Sequence, residues 1–227
     1  MKTPQRRANF VSSVYVWSVY AFIVALLLGI PGGALGIYMA GEAATNSEAD
    51  GRQAAGVIAF AAVTMFIVGG IASSIGGILG QVLLYQGWKV VRSPVSGLSP
   101  TLVVLLCYVP LLNWFWVPIA FGLLPSRQAK LAAHESLEIA VKGRVATIIF
   151  GVAWVSVFVA LFVPIESAVI MLPPLVAVLI TAILVNGAVA KNTVAIYEAY
   201  QARIDAMGGG ADSNPGDPAL GFAAVPA

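Results

Sequence analysis

Long apolar blocks, each of membrane-spanning length, divide this sequence of 227 residues. An α-helix rises about 1.5 Å per residue, so about 20 apolar residues cross the hydrocarbon core of a bilayer. Hydrophobic residues make up 59% of the chain and charged residues 10%, whereas soluble domains carry about 25% charged residues. The blocks predict an all-α, polytopic membrane protein with spans at about 14–39, 54–88, 145–163 and 168–190.

The chain is expected to form a single helical membrane domain over residues 1–207, which includes these spans, followed by a flexible tail at 208–227. The first span contains the segment "GIPGG", which predicts a bend near Pro31 because proline lacks a backbone donor. Charged side chains recur every three or four residues over 126–142 and predict an amphipathic helix on the membrane surface. They are Arg127, Lys130, His134, Glu138 and Lys142.

The apolar block at 101–125 has three possible arrangements. It contains "CYVPLLNWFWVPIAFGLLPS", which is long enough to cross a membrane but is interrupted by prolines. It crosses as a fifth transmembrane helix, or it enters and returns as a re-entrant or half-inserted helical hairpin, or it lies flat on the membrane.

The distribution of basic residues favours the hairpin. With five spans, only Lys2, Arg6, Arg7, Lys89 and Arg92 are cytoplasmic and the other basic residues are external, which violates the positive-inside rule. With a hairpin, all of the twelve Lys and Arg residues except Arg52 become cytoplasmic. We therefore expect four transmembrane helices plus the hairpin, with both termini in the cytoplasm.

The hairpin tip is expected at Pro110, Asn113, Trp114 and Trp116. Pro110 ends a short helix, Asn113 supplies a polar residue for the turn, and the tryptophans can keep their indole N–H groups satisfied at the interface. The backbone of such a turn must be buried by protein or must line a watery cavity, because lipid offers no hydrogen bonds.

A row of small residues marks the second span. Gly69, Ser73 and Gly77 follow one another at four-residue spacing, and Gly76 and Gly80 repeat it. Small residues on one face let another helix approach closely, which drives helix association in membranes. This face is expected to pack against another helix of the same chain or against a partner.

The segments "LLYQGWKVV", "VLLCYVPLLNWFWVPIAFGL" and "NGAVAKNTVAIYEA" resemble a group of uncharacterised bacterial multi-span inner-membrane proteins. These share a Pro-x-x-Asn-aromatic-Trp central segment, matched here by Pro110, Asn113, Phe115 and Trp116. The resemblance implies a bacterial inner-membrane location with cytoplasmic termini. It implies no activity and no catalytic residue.

The sequence contains few residues of the kinds that catalysis, ion coupling or metal binding require. The polar residues within the apolar blocks include Gln81, Asn113 and Asn186, none of which is ionisable, whereas ion-coupled pumps embed ionisable groups in their spans. His134 and Glu138 have a metal-compatible spacing, but the chain has one histidine and one cysteine, and a zinc site needs three or more ligands. We expect no enzyme activity, cofactor, metal site or nucleic-acid partner.

Two functions remain. The first is a non-catalytic structural or accessory subunit of a larger membrane assembly, which contacts lipid and other membrane subunits or further copies of itself. The alternative is a small channel or transporter subunit, with a pathway at the hairpin lined by Gln81, Asn113 or Asn186.

Overall fold

The computed structural model describes residues 3–45, 49–91, 98–109, 112–160 and 172–206. All regular secondary structure in these ranges is helical. A π-helical turn, Ala25–Gly29, joins the first two α-helical segments, so there are six separate helices. The α-helical segments are α1 Pro4–Val24, α2 Ile30–Thr45, α3 Ala49–Val90, α4 Pro100–Leu106, α5 Leu112–His134, α6 Arg144–Ala160 and α7 Leu172–Ala206.

Three of these helices are long and apolar enough to cross a membrane: Pro4–Met39, Gly56–Val90 and Leu172–Ala206. They contain 36, 35 and 35 residues, well above the length that a bilayer requires. This confirms the all-helical, membrane-type architecture. Helix α6 is also apolar, but only 17 of its residues lie in the described part of the chain. The start of the last predicted block, 168–171, and the predicted tail at 208–227 lie outside the described residues.

The outer surface of the bundle is strongly apolar, as expected for contact with lipid. Phe60 is 76% exposed, Val145 69% and Val152 66%. Monomeric soluble proteins rarely expose contiguous apolar patches of more than a few hundred Å². The buried residues, in contrast, include several polar side chains, among them Ser18, Gln128, Asn186 and Asn192.

A π-helical turn lies directly before Pro31, the residue near which the sequence predicts a bend. Pro31 cannot donate to the carbonyl of Leu27, and its ring would collide with that carbonyl in a regular helix. Widening the turn over Ala25–Gly29 relieves the collision while the chain stays helical.

Helix α7 is the centre around which the others pack. It runs antiparallel to α1, since Asn186 bonds to Ser18 and Gly187 lies against the Tyr15 ring. On another side, α3 places Leu84 and Trp88 in the core with Val189 of α7 and Leu124 of α5. The Trp88 indole donates to the carbonyl of Ala120 at 3.3 Å, so α3 is also tied to α5 by a polar contact.

The expectation of a separate surface helix over 126–142 is wrong. Helix α5 runs without interruption to His134, through both Pro118 and Pro125, and Glu135–Gly143 is not helical. The helix ends in a Schellman motif: Leu137 N–H donates to the Ala132 carbonyl at 2.8 Å, and Ser136 takes a left-handed φ of 52°. The three-to-four spacing of the charged residues therefore continues beyond the end of the helix, and His134 and Glu138 do not share a helical face.

Candidate functional site

The small-residue face of α3 packs largely within the chain. A Cβ on Gly69 would collide with the backbone of Gly29 in the π-helical turn. A Cβ on Gly76 would lie 3.0 Å from the Phe22 ring, and one on Gly80 would lie 3.1 Å from the Asn186 amide. These three glycines therefore allow the first helix and α7 to approach α3 closely.

The other two members of this face, together with Gly80, line a cavity. Ser73 is half-buried, and a Cβ on Gly77 would meet nothing within 4 Å. The cavity has a volume of about 250 Å³, is partly open, and is lined by residues from five helical segments. Its walls are mostly apolar and include four aromatic residues, Phe22, Phe121, Phe150 and Trp154.

Two of the three predicted pathway residues also line this cavity. Gln81 contacts the Cys107 side chain, and its Oε1 atom is buried with no hydrogen-bond partner in the described part of the chain. Asn186 donates from Nδ2 to the Ser18 hydroxyl at 3.0 Å. No Lys, Arg, Asp, Glu or His is among the residues that line this cavity.

The third predicted pathway residue, Asn113, lies in the first turn of α5, away from the cavity lining. Its backbone N–H donates to the Val109 carbonyl at 2.9 Å, which continues the turn into the helix. Its Oδ1 atom is buried without a hydrogen-bond partner among the described residues. Pro110, the remaining predicted tip residue, lies outside the described residues.

Trp116 ties α5 to α4. The turn after α4 directs the Cys107 N–H to the Val104 carbonyl, so the usual helical partner of the Val103 carbonyl is lost. The Trp116 indole donates to that carbonyl at 2.7 Å. A side chain predicted to lie at the membrane interface thus forms a hydrogen bond within the chain.

Trp114 belongs to an aromatic cluster between α5 and α6. Its ring lies 5.7 Å from that of Trp154 and 5.3 Å from that of Phe158, measured between centroids. Pro118 has no N–H for the carbonyl of Trp114, and the Trp154 indole donates to this carbonyl at 3.1 Å instead. Aromatic packing and this hydrogen bond both attach the start of α5 to α6.

Sequence reasoning missed a buried amide network at the other end of α5. Asn192 donates from Nδ2 to Gln128 Oε1 at 3.1 Å, and Gln128 donates from Nε2 to the Thr193 hydroxyl at 3.1 Å. Asn192 also exchanges two hydrogen bonds with the backbone of Lys142, at 2.8 and 3.1 Å. Gln128 and Asn192 are 64 residues apart, so no local pattern reveals the pairing.

A groove between α1 and α3, of about 580 Å³, was also missed. Its α1 side contains Val14 and Ala21 together with a row of exposed residues spaced three and four apart, namely Phe10, Ser13, Trp17, Tyr20 and Val24. Its α3 side is formed by Ala72, Ile75 and Leu79. The heptad spacing on α1 is readable in the sequence, but which face of α1 is exposed depends on the packing against α7.

Comparison of the chain with protein-family models, with curated proteins and with solved structures gives no match. The resemblance carried by Pro110, Asn113, Phe115 and Trp116 therefore stays a prediction. The described residues contain no group of three or more His, Cys, Asp or Glu side chains placed to hold a metal ion. The cavity and the groove are two candidate sites in the described part of the chain.

Proposed function

We propose that this protein is a non-catalytic accessory subunit of a larger membrane assembly, and that it binds a transmembrane helix of another subunit. The observation that carries the proposal is the exposed heptad row of α1 beside α3. Of the predicted partner face, Gly69, Gly76 and Gly80 are in close contact within the chain, and Ser73 and Gly77 border the cavity, so we place the docking surface at the groove.

The row on α1 has the geometry of a helix-packing seam. Steps of three and four residues keep side chains in line along a helix that packs at a small left-handed angle, as most membrane bundles do. From Phe10 to Val24 the row extends about 21 Å, most of the thickness of the hydrocarbon core. The exposed Trp17 and Tyr20 rings contact each other edge-to-face on the α1 side, with 6.1 Å between their centroids, and the lining of the groove also contains the small residues Ser13, Ala21 and Ala72.

The shape of the groove favours a helix from a different protein over a second copy of this chain. In a two-fold dimer the same surface faces itself, and two concave grooves facing one another leave an unfilled space. A single helix is convex and fills the groove. The small residues of the lining let its backbone approach, and the two adjacent aromatic rings of α1 pack along one side of it.

Site-specific photocrosslinking in the native membrane tests this proposal. A benzophenone amino acid replaces Trp17, and a second variant carries it at Val16, which is exposed but does not line the groove. We expect the Trp17 position to crosslink to one transmembrane segment of one protein. Ser13→Leu should reduce this product about tenfold, because overpacking costs about 1–3 kcal/mol.

Ser12→Leu is the matched control, since Ser12 is an exposed neighbour on α1 outside the groove. It should leave the crosslink unchanged. Crosslinking only to lipid, crosslinking to a second copy of the chain, or equal yields from Trp17 and Val16 would each refute the docking of a partner helix.

A second candidate function, a small channel or transporter subunit, is favoured by the cavity beside Gln81 and Asn186. A pathway for an uncharged polar solute would pass these two amides, while Asn113 would contribute only at the hairpin tip. Glycerol flux into liposomes measures this directly. Flux above that of protein-free liposomes, abolished by Gln81→Leu, would establish transport, and equal flux with and without protein would exclude it for this solute.

For the membrane topology, we propose four spans plus the hairpin, with both termini in the cytoplasm of a bacterial inner membrane. Helix α4 has seven residues and covers about 10 Å, too short to cross the hydrocarbon core. The hydrogen bond from Trp116 to Val103 folds the chain back, and α5 then returns alongside α6.

Thiol labelling with a membrane-impermeant reagent distinguishes this topology from five spans. Four spans and a hairpin place Glu42→Cys outside and Lys130→Cys inside, whereas five spans place both outside. Cys107 is 3% exposed and should remain unlabelled in intact cells. Labelling of both introduced cysteines would therefore support a fifth span.

A further inference from the structure

Three basic residues lie together where α6 begins and the apolar part of α7 ends. Lys142 precedes α6, Arg144 is its first residue, and Lys191 lies on α7. All three are exposed, and none of them lines the groove of the docking proposal. We infer that this basic cluster binds the headgroup of one anionic phospholipid.

Contacts between α7 and the segment before α6 bring the cluster together. Asn192 is buried and exchanges two hydrogen bonds with the backbone of Lys142. Gly143, with a φ of 109°, lies so close to α7 that an added Cβ would be 2.5 Å from the Ala188 side chain. Ala188, Lys191 and Asn192 are three and four residues apart, so Lys191 lies at the edge of the face of α7 that contacts this segment.

The cluster is positively charged and has no counter-ion of its own. The Cα atoms of Lys142 and Arg144 are at most about 7 Å apart, because only one residue separates them. The stretches 139–151 and 172–197 contain no Asp or Glu, and none of the three cations forms an ion pair within the described part of the chain. A phosphate group among them would offset their mutual repulsion and accept charge-assisted hydrogen bonds.

The cluster lies at the level where lipid headgroups are expected. Arg144 directly precedes 145–160, which contains no charged residue, and Lys191 directly follows 172–190, which contains none either. The contact between Gly143 and Ala188 places these two ends of α6 and α7 side by side. Both cations therefore mark the same boundary of the hydrocarbon core, and basic clusters between helices at such a boundary bind anionic headgroups.

An apolar stripe for the acyl chains begins directly beside the cations. Val145, Ile148 and Val152 of α6 are spaced three and four residues apart and are 69%, 65% and 66% exposed. They lie on one face of the helix and extend about 10 Å from its first turn. A phospholipid can use the cations and the stripe together, whereas a free anion would use only the cations.

Native mass spectrometry of the full chain, released from detergent micelles, tests this site. The protein is titrated with dioleoyl phosphatidylglycerol or with dioleoyl phosphatidylcholine, and the fraction with one bound lipid is measured. The two lipids have the same acyl chains, but only the first has a net negative charge. We expect the first phosphatidylglycerol to bind about tenfold more tightly than the first phosphatidylcholine.

Single substitutions locate the binding. Lys142→Gln, Arg144→Gln and Lys191→Gln should each weaken phosphatidylglycerol binding about fivefold, the usual contribution of one basic residue beside anionic lipid, and should leave phosphatidylcholine binding unchanged. Arg6→Gln is the matched control, because it also removes one positive charge from an exposed position but lies on α1. It should leave the affinity for both lipids unchanged.

A soluble headgroup distinguishes a lipid site from a site for a free anion. Glycerophosphoglycerol, which is phosphatidylglycerol without its acyl chains, should not compete when present at the same concentration as the lipid. Competition by it would assign the cluster to a free phosphate compound and overturn the lipid proposal.

Equal affinity for the two lipids would overturn the preference for an anionic headgroup. Unchanged binding in the three cluster variants, or an equal loss in Arg6→Gln, would overturn the site. The partner crosslink at Trp17 is measured separately, so failure of either proposal leaves the other intact.

Discussion

The hydrogen bond from Trp154 to the Trp114 carbonyl gives a quantitative prediction about the attachment of α5 to α6. Pro118 removes the backbone donor that this carbonyl would have in a regular helix, and the indole replaces it at 3.1 Å. Trp154→Phe keeps an aromatic ring beside Trp114 but removes the donor. The free energy of unfolding should fall.

The expected loss has two parts. A hydrogen bond of this kind contributes about 1 kcal/mol, with about 0.6 kcal/mol as the average for polar contacts between membrane helices. The smaller ring loses roughly another 1 kcal/mol of packing. In a Pro118→Ala background the new N–H of residue 118 can bond to the Trp114 carbonyl, so only the packing part should remain.

Equilibrium unfolding in mixed micelles of increasing SDS fraction, followed by circular dichroism, measures all four proteins of this double-mutant cycle. We expect a coupling energy of about 1 kcal/mol between positions 118 and 154. Trp88→Phe is the control. Its indole donates to the Ala120 carbonyl, which Pro118 does not affect, so its cost should be the same in both backgrounds. If Trp154→Phe lowered the free energy of unfolding equally in both backgrounds, the idea that the Trp154 indole replaces the donor missing at Pro118 would be refuted.

Three further changes probe packing, the amide network and the end of α5. Gly69→Leu should destabilise the bundle by roughly 1–3 kcal/mol in the same unfolding assay, whereas Gly70→Leu should be tolerated; equal effects would contradict the close contact at Gly69. Gln128→Leu should cost about 1–3 kcal/mol by leaving buried amide partners unsatisfied, and an unchanged unfolding midpoint would argue against the network. Arg203 donates to the Glu135 carbonyl at 2.6 Å but its side chain is 40% exposed, so Arg203→Gln should speed amide hydrogen exchange at the end of α5 with less than about 1 kcal/mol of global destabilisation. Unchanged local exchange would contradict that role.

The structure shows why local patterns misplaced the end of α5. The charge spacing from Arg127 to Lys142 is that of an amphipathic helix, and sequence periodicity alone favours a helix throughout. The helix nevertheless stops at His134, where Arg203 binds the Glu135 carbonyl and Leu137 packs against the core. Both interactions depend on contacts that are distant in the sequence.

The sequence by itself determined the helical class and the apolar helices. These depend on the length and composition of continuous segments. The thickness of the bilayer sets the length of each segment, and its backbone N–H and C=O groups must hydrogen-bond to one another because lipid offers no partners. The irregularity before Pro31 was likewise a local property, since proline lacks the donor that its own helix needs.

Only the tertiary structure decided how the polar and small residues are used. Gly69 contacts Gly29, whereas Gly77 on the same face borders a cavity, and their local sequences do not distinguish them. Gln81 and Asn186 meet around that cavity although they lie on separate helices. Their roles depend on which helices pack side by side, and that arrangement minimises the summed packing and hydrogen-bond energy of the whole bundle.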